Sequence, residues 1–266
     1  MFDLSNLPAA TRAQITSSPR WTAFFQRAPE NLLSVDTNAK TVKGQKLGYH
    51  TAILYLTPAK GSGANLCPMA ELAKCDEPCL ATAGRGAMSN VQMARLRKTL
   101  YFLQYREQFM AQLVKEISRL SLRYGPSLLV RLNGTSDIRW ELVSVNRGGG
   151  WQGTDNRSIM HAFPEVQWYD YTKIPNRHNV PANYDLTYSY SGVIQFQPHV
   201  KKAKDAGMRV AVVFSNRDRI PKSFDGMQCV DGDDTDIRHL DPQGVAVALY
   251  AKGRAKQDRS GFVVQV

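Results

Sequence analysis

Three cysteines in the run Asn65-Leu-Cys67-Pro-Met-Ala-Glu-Leu-Ala-Lys-Cys75-Asp-Glu-Pro-Cys79 are separated by seven and then three residues. Thiolates select soft metals, zinc, copper(I) or iron–sulfur clusters, and a flexible loop lets three sulfurs converge on one centre. A closed structural zinc site wants a fourth ligand, which a distant histidine or Cys229 could supply. Three cysteines on a four-iron cluster instead leave one iron open to a substrate or cofactor, the arrangement used in S-adenosylmethionine radical chemistry. The plainer alternatives are redox thiols, or reduced cysteines that only pack. The polar, turn-rich surroundings of Pro68, Lys74, Asp76, Glu77 and Pro78 favour metal over packing.

Other polar residues recur just past apolar runs. Arg131, Asn133, Thr135, Ser136 and Asp137 follow one run, Asp170, Thr172 and Lys173 the next, then Thr187, Ser189 and Ser191, then Asn216 and Arg217. Asn133, Ser136, Asp137, Asp170 and Lys173 are the candidate catalytic groups, and Arg131, Thr135 and Arg85 the candidate cofactor contacts. Arg85 sits in Ala83-Gly84-Arg85-Gly86 before a helix, where backbone N–H groups can approach a phosphate or carboxylate; the alternative is a tight turn. Asp231, Asp233, Asp234 and Asp236 form the densest acidic stretch. With Asp137, Glu141 or Asp170 they could hold Mg²⁺ for phosphoryl transfer, or they cap a turn. The five histidines show no paired metal spacing, and no Gly-x-Ser-x-Gly, His-Glu-x-x-His or phosphate-loop signature is present.

The elements that must position these groups follow from the apolar pattern. His50 to Thr57 is rich in β-forming residues and leaves through Pro58 into a glycine-containing loop, which predicts a first main strand feeding the cysteine loop. Ser89 and Asn90 offer capping side chains to a helix carrying Val91, Ala94, Leu96, Leu100 and Leu103. A second helix follows from about Arg106 to Tyr124 with Phe109, Leu113, Ile117 and Leu120. Strands are predicted at Leu128 to Leu132, Val166 to Tyr171, Tyr184 to Tyr190, Met208 to Phe214 and Val245 to Tyr250. Helices are predicted at about 138–145, 156–163 and 196–206, the last closed by Gly207. This alternation implies right-handed crossovers and parallel strands whose carboxyl ends share one rim. The expected fold is α/β, a partial (β/α) barrel of mainly parallel strands with an irregular N-terminal arm. Residues 1–48 form the arm or cap, and 49–266 a single domain carrying the cysteine loop. Gly148-Gly-Gly150 reads as a mobile loop.

An excess of 34 Lys plus Arg over 23 Asp plus Glu gives a net charge of +11, which makes a nucleic-acid partner plausible through phosphate neutralisation. Arg95, Arg97, Lys98, Arg106, Lys115, Arg119 and Arg123, interspersed with Tyr101, Phe102, Tyr105 and Phe109, read either as a face that grips single strands or as ordinary amphipathic helices. The tail from Lys252 to Arg259 is a further basic patch. No run approaches the roughly 20 apolar residues of a membrane span. The N-terminus lacks the basic start and apolar run of a secretory signal, so a cytoplasmic location is expected.

The blocks Cys67-Pro-Met-Ala, Cys79 to Lys98, Val130 to Asp137, Phe163 to Lys173 and Val230 to Asp236 together resemble the mycobacteriophage gene-product 88 family over roughly residues 45 to 264. That is a group of phage and mobile-element proteins, so the resemblance implies an origin rather than a reaction. It places Cys67, Cys75, Cys79, Arg85, Asn133, Ser136, Asp137, Asp170, Lys173 and Asp231 in motif blocks and leaves Cys229 outside them. A looser similarity to radical S-adenosylmethionine barrels rests on topology and the three cysteines, whose spacing differs from the C-x3-C-x2-C of those enzymes. The leading expectation is an enzyme with a 4Fe-4S cluster on the three cysteines beneath a polar small-molecule pocket, with zinc as the alternative metal and S-adenosylmethionine as a candidate cofactor. The rivals are a Mg²⁺-dependent nuclease or replication enzyme using the aspartates, and a non-catalytic nucleic-acid-binding protein with structural zinc.

Overall fold

The computed structural model describes residues 2–145, 158–177 and 179–266. In chain order the helices and strands are α1 (Ala9–Thr16), α2 (Pro19–Phe24), β1 (Leu33–Val35), α3 (Ala39–Gln45), β2 (His50–Leu54), α4 (Ser89–Gln104), α5 (Arg106–Tyr124) and β3 (Leu128–Arg131). They continue with α6 (Ile159–Ala162), β4 (Gln167–Thr172), β5 (Tyr184–Ser189), α7 (Gln197–Asp205), β6 (Val210–Phe214), β7 (Ser223–Phe224), β8 (Met227–Asp231) and β9 (Ala246–Tyr250). The sheet order is β1-β2-β3-β4-β5-β6-β9-β8-β7. From β2 to β6 each strand lies parallel to its sequence neighbour, and β9 and β8 continue the parallel run. Antiparallel β1 and β7 stand at the two margins, so the sheet is an open, partial barrel.

Alternation along each strand builds two faces. Leu128, Val130, Leu132 and Trp168 face the helix layer and join one core cluster with Leu100, Phe109, Leu113 and Ile117 of α4 and α5. Each such aliphatic side chain contributes about 1.5–3 kcal/mol by leaving water. Farther along, Val210, Val212, Phe214, Ala246 and Ala248 pack with Phe196, Val200 and Ala203 of the α7 region. On the other face Leu129 and Tyr169 meet Ile237, and Tyr171 joins Ala211, Val245 and Val247. The concave side is thus filled by the segment after β8. α3 ties that segment to the β1 margin: Lys40 Nζ reaches Gly232 O at 2.8 Å and Asp233 Oδ1 at 2.9 Å.

The first residues of the chain share the main core. Phe2, Leu7, Ile15, Phe25, Leu32 and Leu33 are buried in the same cluster as α4 and α5, and β1 pairs with β2. The Glu116 carboxylate accepts the N–H groups of Leu32 (2.8 Å) and Leu33 (2.9 Å), while Lys98 Nζ donates to Leu32 O at 2.7 Å. Arg97 likewise donates to Phe24 O, and Tyr101, Phe102 and Phe109 are core residues.

Several local expectations are corrected. The predicted helix at 138–145 is only a 3-10 turn, Trp140–Leu142. Trp140 and Glu141 are both buried there, one against Phe102 and the other against Arg177, so no single face could be amphipathic. α4 starts at Ser89 with Met88 at its N-cap, so neither Ser89 nor Asn90 caps it. The hairpin of β7 and β8 was missed, although Asp225-Gly226 has φ of 50° and 78°, the left-handed pair that a two-residue hairpin turn needs. Gly207 does close α7: its N–H bonds Lys204 O and Met208 N–H bonds Ala203 O. Of the predicted helix at 156–163 the described residues hold α6, and Gly148 to Gly150 and His178 lie outside the described residues. Among the described residues no helix is long and apolar enough to cross a membrane.

Candidate functional site

The loop between β2 and α4 runs along the carboxyl edge of the sheet and is fastened to the segments that leave β3, β5 and β9. Gly134 N–H bonds Leu54 O at 3.0 Å, the Thr135 hydroxyl bonds Leu56 O, and Asp137 N–H bonds Leu66 O at 2.9 Å. Gly134 permits this approach because a Cβ there would stand 2.7 Å from Leu54 O. Beyond β5, Ser191 Oγ bonds Ala73 O at 2.8 Å, and beyond β9, Ser260 Oγ bonds Lys74 O at 3.3 Å.

These fastenings bring the three half-buried thiols into one neighbourhood. Cys67 lies within electrostatic reach of Cys75 and Cys79, and Cys75 of Cys79. Cys67 Sγ accepts the Ala59 N–H at 3.3 Å and sits 3.9 Å from Thr135 O, and Cys79 Sγ accepts the Ala81 N–H at 3.5 Å. Burial pushes the Cys67 thiol up to about 12, and it raises Cys75 and Cys79 against the pull of nearby cations. Those cations are Lys173, within electrostatic reach of all three thiols, and Arg95, within reach of Cys79. Without a metal the three sulfurs are therefore protonated at neutral pH. Among the described residues no three His, Cys, Asp or Glu side chains stand at the distances a single ion requires.

Lys173 is held from two sides. Its N–H donates to Asp137 Oδ2 at 2.8 Å, and its ammonium donates to Ser189 O (3.1 Å), Ser189 Oγ (3.0 Å) and Tyr190 O (3.1 Å). The rings of Phe262 and Phe196 lie 4.8 and 5.5 Å from Nζ. Among the described residues Asp137 Oδ1 is buried with no hydrogen-bond partner, and it lies 4.0 Å from Arg177 Nη1; burial raises the Asp137 carboxyl. Tyr188 Oη, also buried and without a hydrogen-bond partner among the described residues, lies in the same electrostatic neighbourhood.

The other predicted residues take supporting places. Asn133 Oδ1 accepts Ile138 N–H, Ser136 Oγ–H and Trp140 Nε1–H at 2.9–3.1 Å, which sets the path of the loop leading to Asp137. Asp170 accepts the N–H groups of Asn133 (2.9 Å) and Leu132 (3.2 Å) and the Tyr184 hydroxyl (2.9 Å); burial raises it to about 7, against the opposing charge of Arg131. Arg131 itself reaches Asp236 Oδ2 at 2.8 Å under the Tyr171 ring. Arg85 is exposed on the 3-10 turn Gly84–Ala87.

The aspartate stretch is dispersed among separate partners. Asp231 Oδ1 accepts Asp233 N–H at 2.7 Å, Asp233 is clasped by Lys40 and Lys252, and exposed Asp234 lies 3.6 Å from Lys43. Burial would raise Asp236, but Arg131, Lys40 and Arg238 hold it below the usual carboxylate range. Cys229 packs against the α7-side core from β8.

Arg95, Tyr188, Arg177 and Phe262 were not foreseen at the site. Arg95 had been visible only as one charge of a basic helix; it reaches back to Ala81 O at 3.2 Å because it faces the helix's N-terminal side. Phe262 carried no sequence signal.

A family model described as Gene product 88 matches residues 31–266. No curated protein and no solved structure matches the chain.

Proposed function

The chain belongs to the Gene product 88 family, and on that footing we propose that it is a metalloprotein whose Cys67, Cys75 and Cys79 hold an iron–sulfur cluster at the carboxyl edge of the sheet. The observation that supports this reading is that one loop brings three thiols within electrostatic reach of one another and of Lys173. The donor set fits. Buried neutral thiols are a poor resting state, whereas a bound cation draws off their protons and offsets the burial of the resulting charge. A closed zinc site asks for a fourth ligand, whereas three sulfurs suffice for a four-iron cluster with one open iron.

Such a cluster, when bound, supplies an electron and an open iron position. The chain's own residues shape what surrounds it. The N–H groups of Ala59 and Ala81 stabilise thiolate sulfur, and Lys173 and Arg95 offset its negative charge. Asn133, Ser136 and Asp170 hold the Asp137 loop in place from below. The succession of neighbouring parallel strands, with the cysteine loop leaving the first of them, supports S-adenosylmethionine as the co-substrate to test first. The net charge of +11 supports a nucleic acid as the macromolecular partner.

The deciding experiment is anaerobic purification followed by an absorption spectrum and assays of iron, sulfide and zinc. Brown protein with iron and sulfide is expected, lost in Cys67→Ser, Cys75→Ser and Cys79→Ser and kept in Cys229→Ser. Colourless, iron-free protein that no reconstitution can load would overturn the proposal, and stoichiometric zinc would replace it with a structural zinc site. Formation of 5′-deoxyadenosine from S-adenosylmethionine under reducing conditions tests the co-substrate.

A further inference from the structure

We infer that the segments leaving β6 and β9, together with the turn that carries Arg85, form a binding face for the phosphate backbone of a nucleic acid, an inference that rests on the nucleic-acid partner read above from net charge. The helix layer offers no such face. On α4 and at the start of α5 the basic residues are committed to the fold: Arg95 donates to Ala81 O, Arg97 to Phe24 O, Lys98 to Leu32 O and Arg106 Nε to Phe102 O. Tyr101, Phe102 and Phe109 are buried there, so the basic and aromatic side chains do not form an open strip that a strand could lie on.

At the carboxyl edge the basic residues are free for a partner. Arg217, after β6, and Lys252, after β9, both lie over the Tyr250 ring, at 5.4 and 4.4 Å from its centroid, which joins the two segments. Lys252 shares the single carboxylate of Asp233 with Lys40, so one positive charge is left over. The next residues rest on the Arg85 turn: a Cβ on Gly253 would stand 2.9 Å from Ala83 Cα, and Arg254 N–H bonds Thr82 Oγ1 at 3.4 Å. Arg85, Arg217 and Arg254 thus reach one edge from three remote stretches of chain, and all three are exposed. Among the described residues none of their guanidinium groups has a hydrogen bond or an ion pair. A cleft of about 250 Å³ opens beside Arg217 and is lined also by exposed Lys222, Asp231 and Asp233. Because Asp233 is already matched by its two lysines, Asp231 alone stands against Arg217 and Lys222. Solvated cations with no internal partner suit phosphate contacts, since binding releases the counterions of the polyanion and breaks no ion pair of the fold. Contacts of this kind position a backbone and read no bases, so the face takes nucleic acid without regard to sequence.

Labelled single-stranded DNA of random sequence, its duplex and the matching RNA are to be titrated with the full chain over a range of salt concentrations. Two triple variants are compared with it, Arg85→Ala/Arg217→Ala/Arg254→Ala and Arg27→Ala/Lys115→Ala/Arg119→Ala. The second removes the same charge from exposed positions in the N-terminal segment and on α5. The edge variant is expected to bind roughly tenfold or more weakly, with a slope of log affinity against log salt shallower by about two, while the other stays within about twofold of the wild type. Lysine at the three edge positions should restore most of the affinity, because a phosphate contact needs the charge. Should the alanine edge variant fail to fold, Arg85→Gln/Arg217→Gln/Arg254→Gln decides. Equal weakening in both alanine variants, an unchanged salt slope in the edge variant, or no recovery with lysine overturns the face and leaves the nucleic-acid partner standing. A wild-type chain that holds none of the three probes overturns the partner reading itself.

Discussion

The backbone N–H of Lys173 donates to Asp137 Oδ2 at 2.8 Å, and this one bond joins the end of β4 to the loop that leaves β3. Asp137 in turn donates its own N–H to Leu66 O, next to the first cysteine. A strand end, a loop and the thiol segment are thus coupled through one buried residue, its carboxylate on one side and its backbone N–H on the other.

That coupling makes Asp137 separable into an acceptor and a charge. Asp137→Ala strands the Lys173 N–H and should lower the stability of metal-free protein by about 1–3 kcal/mol. Asp137→Asn keeps an oxygen acceptor and should lose less than about 1 kcal/mol. Urea denaturation reads both; equal losses would show that the carboxylate charge, not the acceptor, matters.

Glu116 is the corresponding clamp for the N-terminal segment, since its two oxygens take the N–H groups of Leu32 and Leu33. Glu116→Ala leaves two buried donors unmet and should lose roughly 3 kcal/mol. Limited proteolysis should then cut ahead of β1 sooner than in the wild type. Unaltered cleavage and stability would remove the clamp.

Lys98 should give this contact a pH signature. Burial lowers its ammonium to about 8, against the favourable charge of Glu116, from an ordinary value of 10.5. Between about 8 and 10.5 the unfolded chain holds the extra proton, so stability contributed at this site rises with pH across that window and is level below it. Wild type measured against Lys98→Met should show that rise; parallel curves would contradict it.

The aspartates after β8 should differ sharply from one another. Asp236, buried against Arg131 and two tyrosine hydroxyls, should lose about 3–5 kcal/mol on change to Ala because buried Arg131 loses its 2.8 Å partner and keeps only the 3.6 Å contact to Asp170. Asp234→Ala, at an exposed position, should stay within about 0.5 kcal/mol of wild type. A common loss of Mg²⁺ binding in both variants would instead restore a metal-binding role for the stretch.

The parallel strands were legible because runs such as Leu128 to Leu132 and Met208 to Phe214 are apolar on both faces, as strands covered on both sides must be, and the long helices show the opposite, one-sided periodicity. The thiol loop could be placed at a strand end for the same reason. What sequence could not determine was which remote groups would meet there. Arg85 is close to the cysteines along the chain yet points to solvent, whereas Arg95 returns to Cys79 through the geometry of α4. Arg131 and Asp170 lie on adjacent strands and approach to 3.6 Å, yet Arg131 also reaches Asp236 on the filled concave side while Asp170 anchors the loop after β3, partners that only strand pleating and the course of the 233–241 segment decide. Local pattern reflects short-range periodicity and backbone preference, both written in neighbouring residues. The gathering of Cys67, Cys75, Cys79, Asp137 and Lys173 depends on strand order and on hydrogen bonds across long loops, which exist only once the sheet has formed.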